Sequence, residues 1–180
     1  TQADTAIYIQ ALQRRGAKPR VIDCKRLKLV VKYLKRHRIS LFHGRIKSPW
    51  RLFEFSDSAL KAQNDDASGL CIRGLAVLLT GDGGDIKENT GDVNLIEYLV
   101  RKLKHVVRST YAAEMNALID AVENVILLQL ALHQVVCGTD DSTEELLRRL
   151  EMGQLQPPID MVIDCNGVWS NIATKDLNIP

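Results

Sequence analysis

Three acidic residues stand where a carboxylate could do chemistry. Asp57 ends a row that begins with Phe53 and Phe55, and this alternation predicts a strand whose phenylalanine face is turned to the core. Asp164 ends a second short strand, IDMVID. Glu114 falls in the first turn of a predicted long helix, on the stripe expected to face the core. The same type of side chain therefore recurs at the ends of three elements.

These three acids can meet if the first and fourth predicted strands are neighbours and the helix packs across them. Like charges in a cleft raise one another's pKa or require a cation. Ligand sets made only of oxygen favour Mg²⁺ or Mn²⁺, and two such ions about 3.5–4 Å apart suit an in-line displacement at phosphate. The sequence therefore predicts a two-ion site formed by Asp57, Glu114 and Asp164.

Each acid also has a simpler interpretation. Asp57 with Ser58 could start a turn, Glu114 could favour the positive end of its helix, and Asp164 could cap the last helix. Their occurrence together and in this order favours the metal site.

Hydrophobic periodicity predicts the elements that must position these residues. The predicted strands are 50–57, 69–80, 93–100 and 159–164, and the predicted helices are 5–15, 20–38, 110–136, a short one within the polar insertion 138–158, and one from about 166. The long helix should bury a stripe that steps by three and four. That stripe is Glu114, Leu118, Ala121, Val125, Leu128, Leu132 and Val135.

Charge is distributed unevenly although the net charge is only +2. Residues 1–50 hold 13 Lys or Arg and 2 acids, whereas residues 51–180 hold 11 and 20. Turn residues in HGRIKSP place a boundary near 45–50. We therefore expect a basic helical segment at 1–48 and an α/β domain at 49–180. The basic segment favours a polyanionic partner, with a solvated helix face as the alternative.

Composition narrows the class of protein. No uninterrupted apolar run reaches the roughly 18–20 residues that cross a bilayer, and the first ten residues lack signal-peptide features. The four cysteines are scattered without a CxxC pair, which argues against a disulfide framework or a zinc knuckle. We expect an intracellular protein, cytoplasmic or nuclear, without a membrane partner.

The order of the three acidic motifs resembles a known family. Asp57 in FSDSAL, Glu114 in RSTYAAEMNAL and Asp164 in VIDCNGVWSNI are similar to the ribonuclease H domain of copia-type retrotransposon polyproteins. The stretch LIEYLVRKLKHVVRSTYAAEM resembles the family's third strand and the basic turn before its catalytic helix. Upstream, ADTAIYIQALQRR and LKLVVKYLKRH resemble the segments that connect reverse transcriptase to ribonuclease H. The resemblance covers nearly the whole chain.

This resemblance implies a ribonuclease H-like mixed sheet of five strands, three antiparallel and then parallel, with helices on both faces. It implies a metal-dependent endonuclease of the reverse transcriptase polyprotein, which hydrolyses the RNA strand of RNA–DNA hybrids with two Mg²⁺ or Mn²⁺ ions. Asp57 would bridge both ions, and Glu114 and Asp164 would each hold one. Five residues just before the long helix are candidates for phosphate contacts. They are Arg101, Lys102, Lys104, His105 and Arg108.

Two departures from the family pattern leave an alternative open. The family's fourth carboxylate, last strand and last helix have no counterpart before Pro180, and many members place the strand-end acid where this chain has Asn166. The run DCNGVW favours Asp164 as the equivalent position. The alternative is an inactive ribonuclease H-like scaffold or nucleic-acid-binding module in a larger assembly. Polymerase activity is excluded from this segment because it has no Tyr-x-Asp-Asp motif.

Overall fold

The computed structural model describes residues 3–13, 15–38, 41–59, 71–81, 91–103, 107 and 109–173. A short 3-10 turn at Ala3–Thr5 opens this part of the chain. The helices are α1 (Ala6–Gln13), α2 (Val21–Arg36), α3 (Thr110–Cys137), α4 (Thr143–Glu151) and α5 (Asn166–Ala173). The strands are β1 (Arg51–Ala59), β2 (Ile72–Thr80), β3 (Val93–Lys102) and β4 (Ile159–Ile163). Every predicted element is present, with ends shifted by a few residues.

The strands form one mixed sheet in the order β3-β2-β1-β4. β1 pairs antiparallel with β2, β2 pairs antiparallel with β3, and β4 lies parallel to β1 on its other side. The predicted order of three antiparallel strands followed by a parallel one is confirmed. The fold is therefore mixed α/β, with four strands in the described residues, whereas the resemblance implies five.

Helix α3 packs across β1 and β2 through its smallest side chains. Ala113, Ala117 and Ala121 recur every four residues and are buried, so the helix backbone can approach the strands closely. The Ser109 side chain caps the helix by accepting a hydrogen bond from the Ala112 backbone N–H at 3.1 Å. Gly138 ends it in the left-handed conformation with φ +62°. The main buried cluster lies in this interface and comprises Leu52, Leu75, Val77, Leu79, Ala121 and Val125.

The buried stripe of α3 departs from the prediction in the second half of the helix. Val135 was expected in the core, but it is 76% exposed. Gln129 and His133 are buried instead, because they face the segment that leads into β4. The Gln129 side chain donates to the Pro157 carbonyl at 2.8 Å, and the Gln156 backbone N–H donates to His133 Nδ1 at 2.9 Å. Polar side chains were needed there because the neighbouring surface is backbone.

Helix α3 is also long and apolar enough to cross a membrane by length and composition, although charged residues interrupt its apolar sequence. The expectation of no membrane partner therefore stays a prediction. In the described structure, one face of the helix packs against the sheet through buried Ala113, Ala117 and Val125.

Strand β1 buries Phe53 as predicted but departs from the prediction at Phe55 and at the polar residues between and after the phenylalanines. Phe55 is 38% exposed, whereas Leu52, Glu54, Ser56 and Ser58 form the buried row that faces α3. The prediction placed both phenylalanines in the core because they alternate with the polar residues Glu54 and Ser56. Helix α3 packs against the face of β1 that carries Leu52, Glu54 and Ser58, so this face is buried. As a result Glu54 lies among core side chains and Asp57 points away from them.

The basic N-terminal segment forms two helices joined by a charged turn. Asp23 is buried and pairs with Arg15 at 3.2 Å and with Arg20 at 3.5 Å. Helix α2 leaves several apolar side chains exposed, among them Leu27 and Leu29. The chain after α2 is fixed to the sheet by the Asn94 side chain, which bonds both the N–H and the carbonyl of Gly44. The division at residues 48 and 49 stays a prediction.

Candidate metal centre

The three acids predicted to act together do lie together. Ligand oxygens of Asp57, Glu114 and Asp164 all lie within 4.8 Å of one another. Asp57 and Asp164 meet because β1 and β4 are parallel and Ser56 is paired with Ile163, which places the next residue of each chain segment at the same edge of the sheet. The spatial convergence expected from the sequence is therefore present.

Glu114 reaches this edge from the first turns of α3. Its Oε1 accepts a hydrogen bond of 2.8 Å from the Ser58 hydroxyl. Ala113 and Ala117 flank it on the buried side of the helix, and their small side chains allow the carboxylate to come close to β1. Glu114 is thereby held between the helix and the strand, while Asp57 and Asp164 are exposed.

The electrostatics of the cluster are those of crowded negative charge. Burial raises the pKa of Glu114, and the charges of Asp57 and Asp164 raise it further, while hydrogen bonds from the Ser58 hydroxyl and backbone oppose the rise. Within the described residues no Lys or Arg forms an ion pair with any of the three acids. A cation would therefore relieve a repulsion that the described side chains leave uncompensated.

The donor set fits a hard divalent cation. The cluster contains carboxylate oxygens only, without histidine or cysteine, and such ligands suit Mg²⁺ or Mn²⁺ better than zinc or copper. Asp57 and Asp164 are open to solvent, so an ion could keep water ligands, as Mg²⁺ prefers. Asn166, the alternative to Asp164, is the first residue of α5.

A contact missed by the sequence reasoning connects α3, which carries Glu114, with α5, which follows Asp164. The Asn171 side chain of α5 donates to the Tyr111 hydroxyl of α3 at 3.2 Å and to the Gly167 carbonyl at 2.8 Å. These residues lie three positions before Glu114 and shortly after Asp164. Their side chains carry no sequence signal of pairing, because 60 residues separate them.

Only two of the five predicted phosphate contacts fall in the described residues. Arg101 is paired across β2 with Arg73, which is itself paired with Ser58 on β1, so these three residues form one row across the sheet. Lys102 ends β3 in the next row. Two strand spacings, about 10 Å, therefore separate this basic edge from the cluster. Lys104, His105 and Arg108 lie outside the described residues.

Arg73 is already engaged on the α3 face. It pairs with Asp120 of α3, and burial lowers its pKa, with the charge of Arg101 acting in the same direction. Arg101 is exposed and remains the residue of that row best placed for a ligand. Its role in phosphate binding stays a prediction.

Glu54 is the acid that the sequence reasoning placed on the wrong face. It is fully buried, and neither carboxylate oxygen has a hydrogen-bond partner in the described structure. Burial raises its pKa from 4.5 to about 7. Leu52, Glu54 and Ser56 are spaced two residues apart and therefore share one face of β1. The burial of Glu54 could have been predicted if the face that carries Leu52 had been assigned to the core.

Comparison with known proteins adds no relative from which function could be inferred. No protein-family model matches the chain, and neither the curated proteins nor the solved structures contain a significant match.

Proposed function

We propose that this chain is a ribonuclease H-type endonuclease that hydrolyses the RNA strand of RNA–DNA hybrids in a Mg²⁺- or Mn²⁺-dependent reaction. The proposal extends to its source, a reverse transcriptase polyprotein of the copia type, on the sequence resemblance described above. The observation that carries it is the convergence of Asp57, Glu114 and Asp164 at one edge of a mixed sheet.

In this proposal the three carboxylates would hold two divalent ions, with Asp57 shared between them. The ions would supply Lewis-acid stabilisation of the charge that develops on the phosphate and an activated nucleophile. The chain itself fixes the separation of the acids through the parallel pairing of β1 with β4 and the close approach of α3 to β1. Arg101 and Lys102 would contact the phosphate backbone of a bound hybrid.

Hybrid selectivity would come from 2′-hydroxyl contacts along the minor groove, because an A-form-like duplex presents those groups there. The excess of Lys and Arg in residues 1–50 would add affinity without sequence preference. We therefore expect hybrid binding to weaken steeply as salt is raised.

Cleavage of a labelled RNA–DNA hybrid in Mg²⁺ tests the proposal. Asp57→Asn should lower the cleavage rate by more than about 100-fold. Replacing a residue that only hydrogen-bonds to a metal ligand typically costs about 10- to 100-fold, so a larger loss is expected for a ligand itself. Asp160→Asn is the matched control: its carboxylate lies on β4 of the same sheet but pairs with Arg51 at 2.6 Å, and we expect wild-type rates. Chelation with EDTA should abolish cleavage. Equal rates for wild type and Asp57→Asn would contradict the proposal.

A second candidate is a ribonuclease H-like module that binds nucleic acid without cleaving it. In the described residues the acidic cluster has three members and no fourth carboxylate, and this favours the alternative. The same hybrid distinguishes the two candidates, because salt-dependent binding without any metal-dependent product would support the module and exclude the nuclease.

A further inference from the structure

Two adjacent residues of β1 contribute to the metal centre from opposite faces of the strand. Asp57 points to the open side, and Ser58 points towards α3, where its hydroxyl donates to Glu114 Oε1 at 2.8 Å. Asp57 thus supplies one candidate ligand, and Ser58 supplies a hydrogen bond to a second candidate ligand, Glu114. This follows from the period of two residues in a strand.

The Ser58–Glu114 hydrogen bond lies in a tightly packed place. Ser58 is buried, and on the helix side it faces the part of α3 where Ala113 and Ala117 are buried as well. Because the helix comes so close to the strand, a side chain as short as serine reaches the carboxylate. A carboxylate has lone pairs on both oxygens, so this bond restrains Glu114 without using all of its acceptor capacity.

We propose that Ser58 is a positioning residue: it orients the Glu114 carboxylate so that Glu114 can share a divalent ion with Asp57 and Asp164. The inference rests on the proposed function for its metal site and adds a residue that is not itself a ligand. Residues that hold metal ligands by hydrogen bonding commonly change metal affinity by 10- to 100-fold when they are replaced, so the effect is large enough to measure.

The chain provides a closely matched control. Ser56 lies two residues earlier on the same face of β1 and is buried to the same extent, 8% exposed, as Ser58. It forms no hydrogen bond with Glu114 in the described structure, where the bond to that carboxylate comes from Ser58. Ser56→Ala therefore removes the same atom from the same strand without touching the ligand.

Mn²⁺ binding, measured from the loss of the free-ion electron paramagnetic resonance signal, tests the inference without depending on catalysis. We expect Ser58→Ala to weaken Mn²⁺ binding about 10-fold, whereas Ser56→Ala should bind like wild type. Ser58→Thr keeps the hydroxyl and should restore most of the affinity. In a Glu114→Gln background, Ser58→Ala should have no further effect.

Wild-type Mn²⁺ affinity in Ser58→Ala would overturn the inference, and so would an equal loss in Ser56→Ala or in Ser58→Thr. If Ser58→Ala does not fold, Ser58→Cys takes its place, because a thiol is a weak donor, and wild-type affinity in that variant would overturn the inference equally.

Hybrid cleavage by the same variants separates this inference from the proposed function. Mn²⁺ binding that depends on Ser58 but is accompanied by no cleavage would support the positioning role and contradict the nuclease. Hybrid cleavage by the wild-type chain, together with unchanged Mn²⁺ binding and cleavage in Ser58→Ala, would support the nuclease and contradict the positioning role. A wild-type chain that binds no Mn²⁺ would contradict both.

Discussion

Glu54 and Asp57 lie three residues apart on one strand and show two different fates of a carboxyl group. Glu54 faces α3, is fully buried, and has no hydrogen-bond partner in the described structure. Asp57 faces the open side and lies within 4.8 Å of two other acids. The strand reverses the environment of its side chains with each residue, so an odd spacing places the two acids on opposite faces.

The difference shows what each region can do with negative charge. In the core, burial raises the pKa of Glu54 to about 7, because the surroundings disfavour the charged form of this acid. At the sheet edge, neighbouring acids add to the effect of burial on Glu114, and solvent can deliver a cation. Crowded acids that are open to water can accept a cation, whereas a single acid buried among apolar side chains lowers stability when it ionises.

The largest expected effect is that of Asp164→Asn on activity. If Asp164 holds a divalent ion as proposed, its replacement should lower hybrid cleavage by more than about 100-fold. It should also leave the metal-free protein at least as stable, because one of three like charges is gone. Cleavage assays and thermal unfolding in EDTA measure the two quantities. Full activity in Asp164→Asn would remove that residue from the site.

Glu54→Gln should change stability rather than activity. The folded-state pKa of about 7 lies above the value near 4.5 expected of an unfolded glutamate. The contribution of Glu54 to the free energy of unfolding is therefore fully present below about pH 4.5. It is lost as the pH rises through 7, and the total loss is roughly 3 kcal/mol. Gln cannot ionise, so the variant should gain stability over wild type at pH 8 and show a weaker pH dependence.

Urea unfolding between pH 5 and pH 8 measures this difference. Glu151→Gln is the control, since Glu151 is exposed at the end of α4 and should change the free energy of unfolding by less than about 0.5 kcal/mol at either pH. If the free energies of unfolding of wild type and Glu54→Gln changed in parallel with pH, burial would not raise the pKa of Glu54 and the prediction would be wrong.

Ala117→Leu should affect both regions at once, by a smaller amount. Extra methylenes in the narrow space between α3 and β1 should cost about 1–3 kcal/mol of stability. They should also move Glu114 away from Asp57 and weaken Mn²⁺ binding. Ala131→Leu is the control, because Ala131 is exposed on the same helix. Equal stability of the two variants would contradict the close packing of α3 on the strand.

Element types and their order could be predicted from the sequence because each element has a clear local signal. The long helix has a cap at Ser109 and a glycine at position 138, and β2 has a continuous apolar run. The three acids could be predicted as a set because strand ends and a helix start are places where the order of the elements constrains geometry.

What could not be predicted depended on packing partners. The helix covers the Glu54 row of β1 and leaves Phe55 partly exposed, whereas the alternation of apolar and polar residues predicted a buried Phe55 and an exposed Glu54. The second half of α3 buries His133 because it faces the backbone of the segment before β4. The bond from Ser58 to Glu114 joins residues 56 positions apart, and no local pattern specifies such a contact.

Anomalous X-ray diffraction from crystals soaked in Mn²⁺ would show whether the three acids bind metal ions. We expect two anomalous peaks in contact with the carboxylates of Asp57, Glu114 and Asp164, and none beside Glu54. Crystals that show no peak at these three residues, at a Mn²⁺ concentration at which hybrid cleavage is assayed, would contradict this expectation.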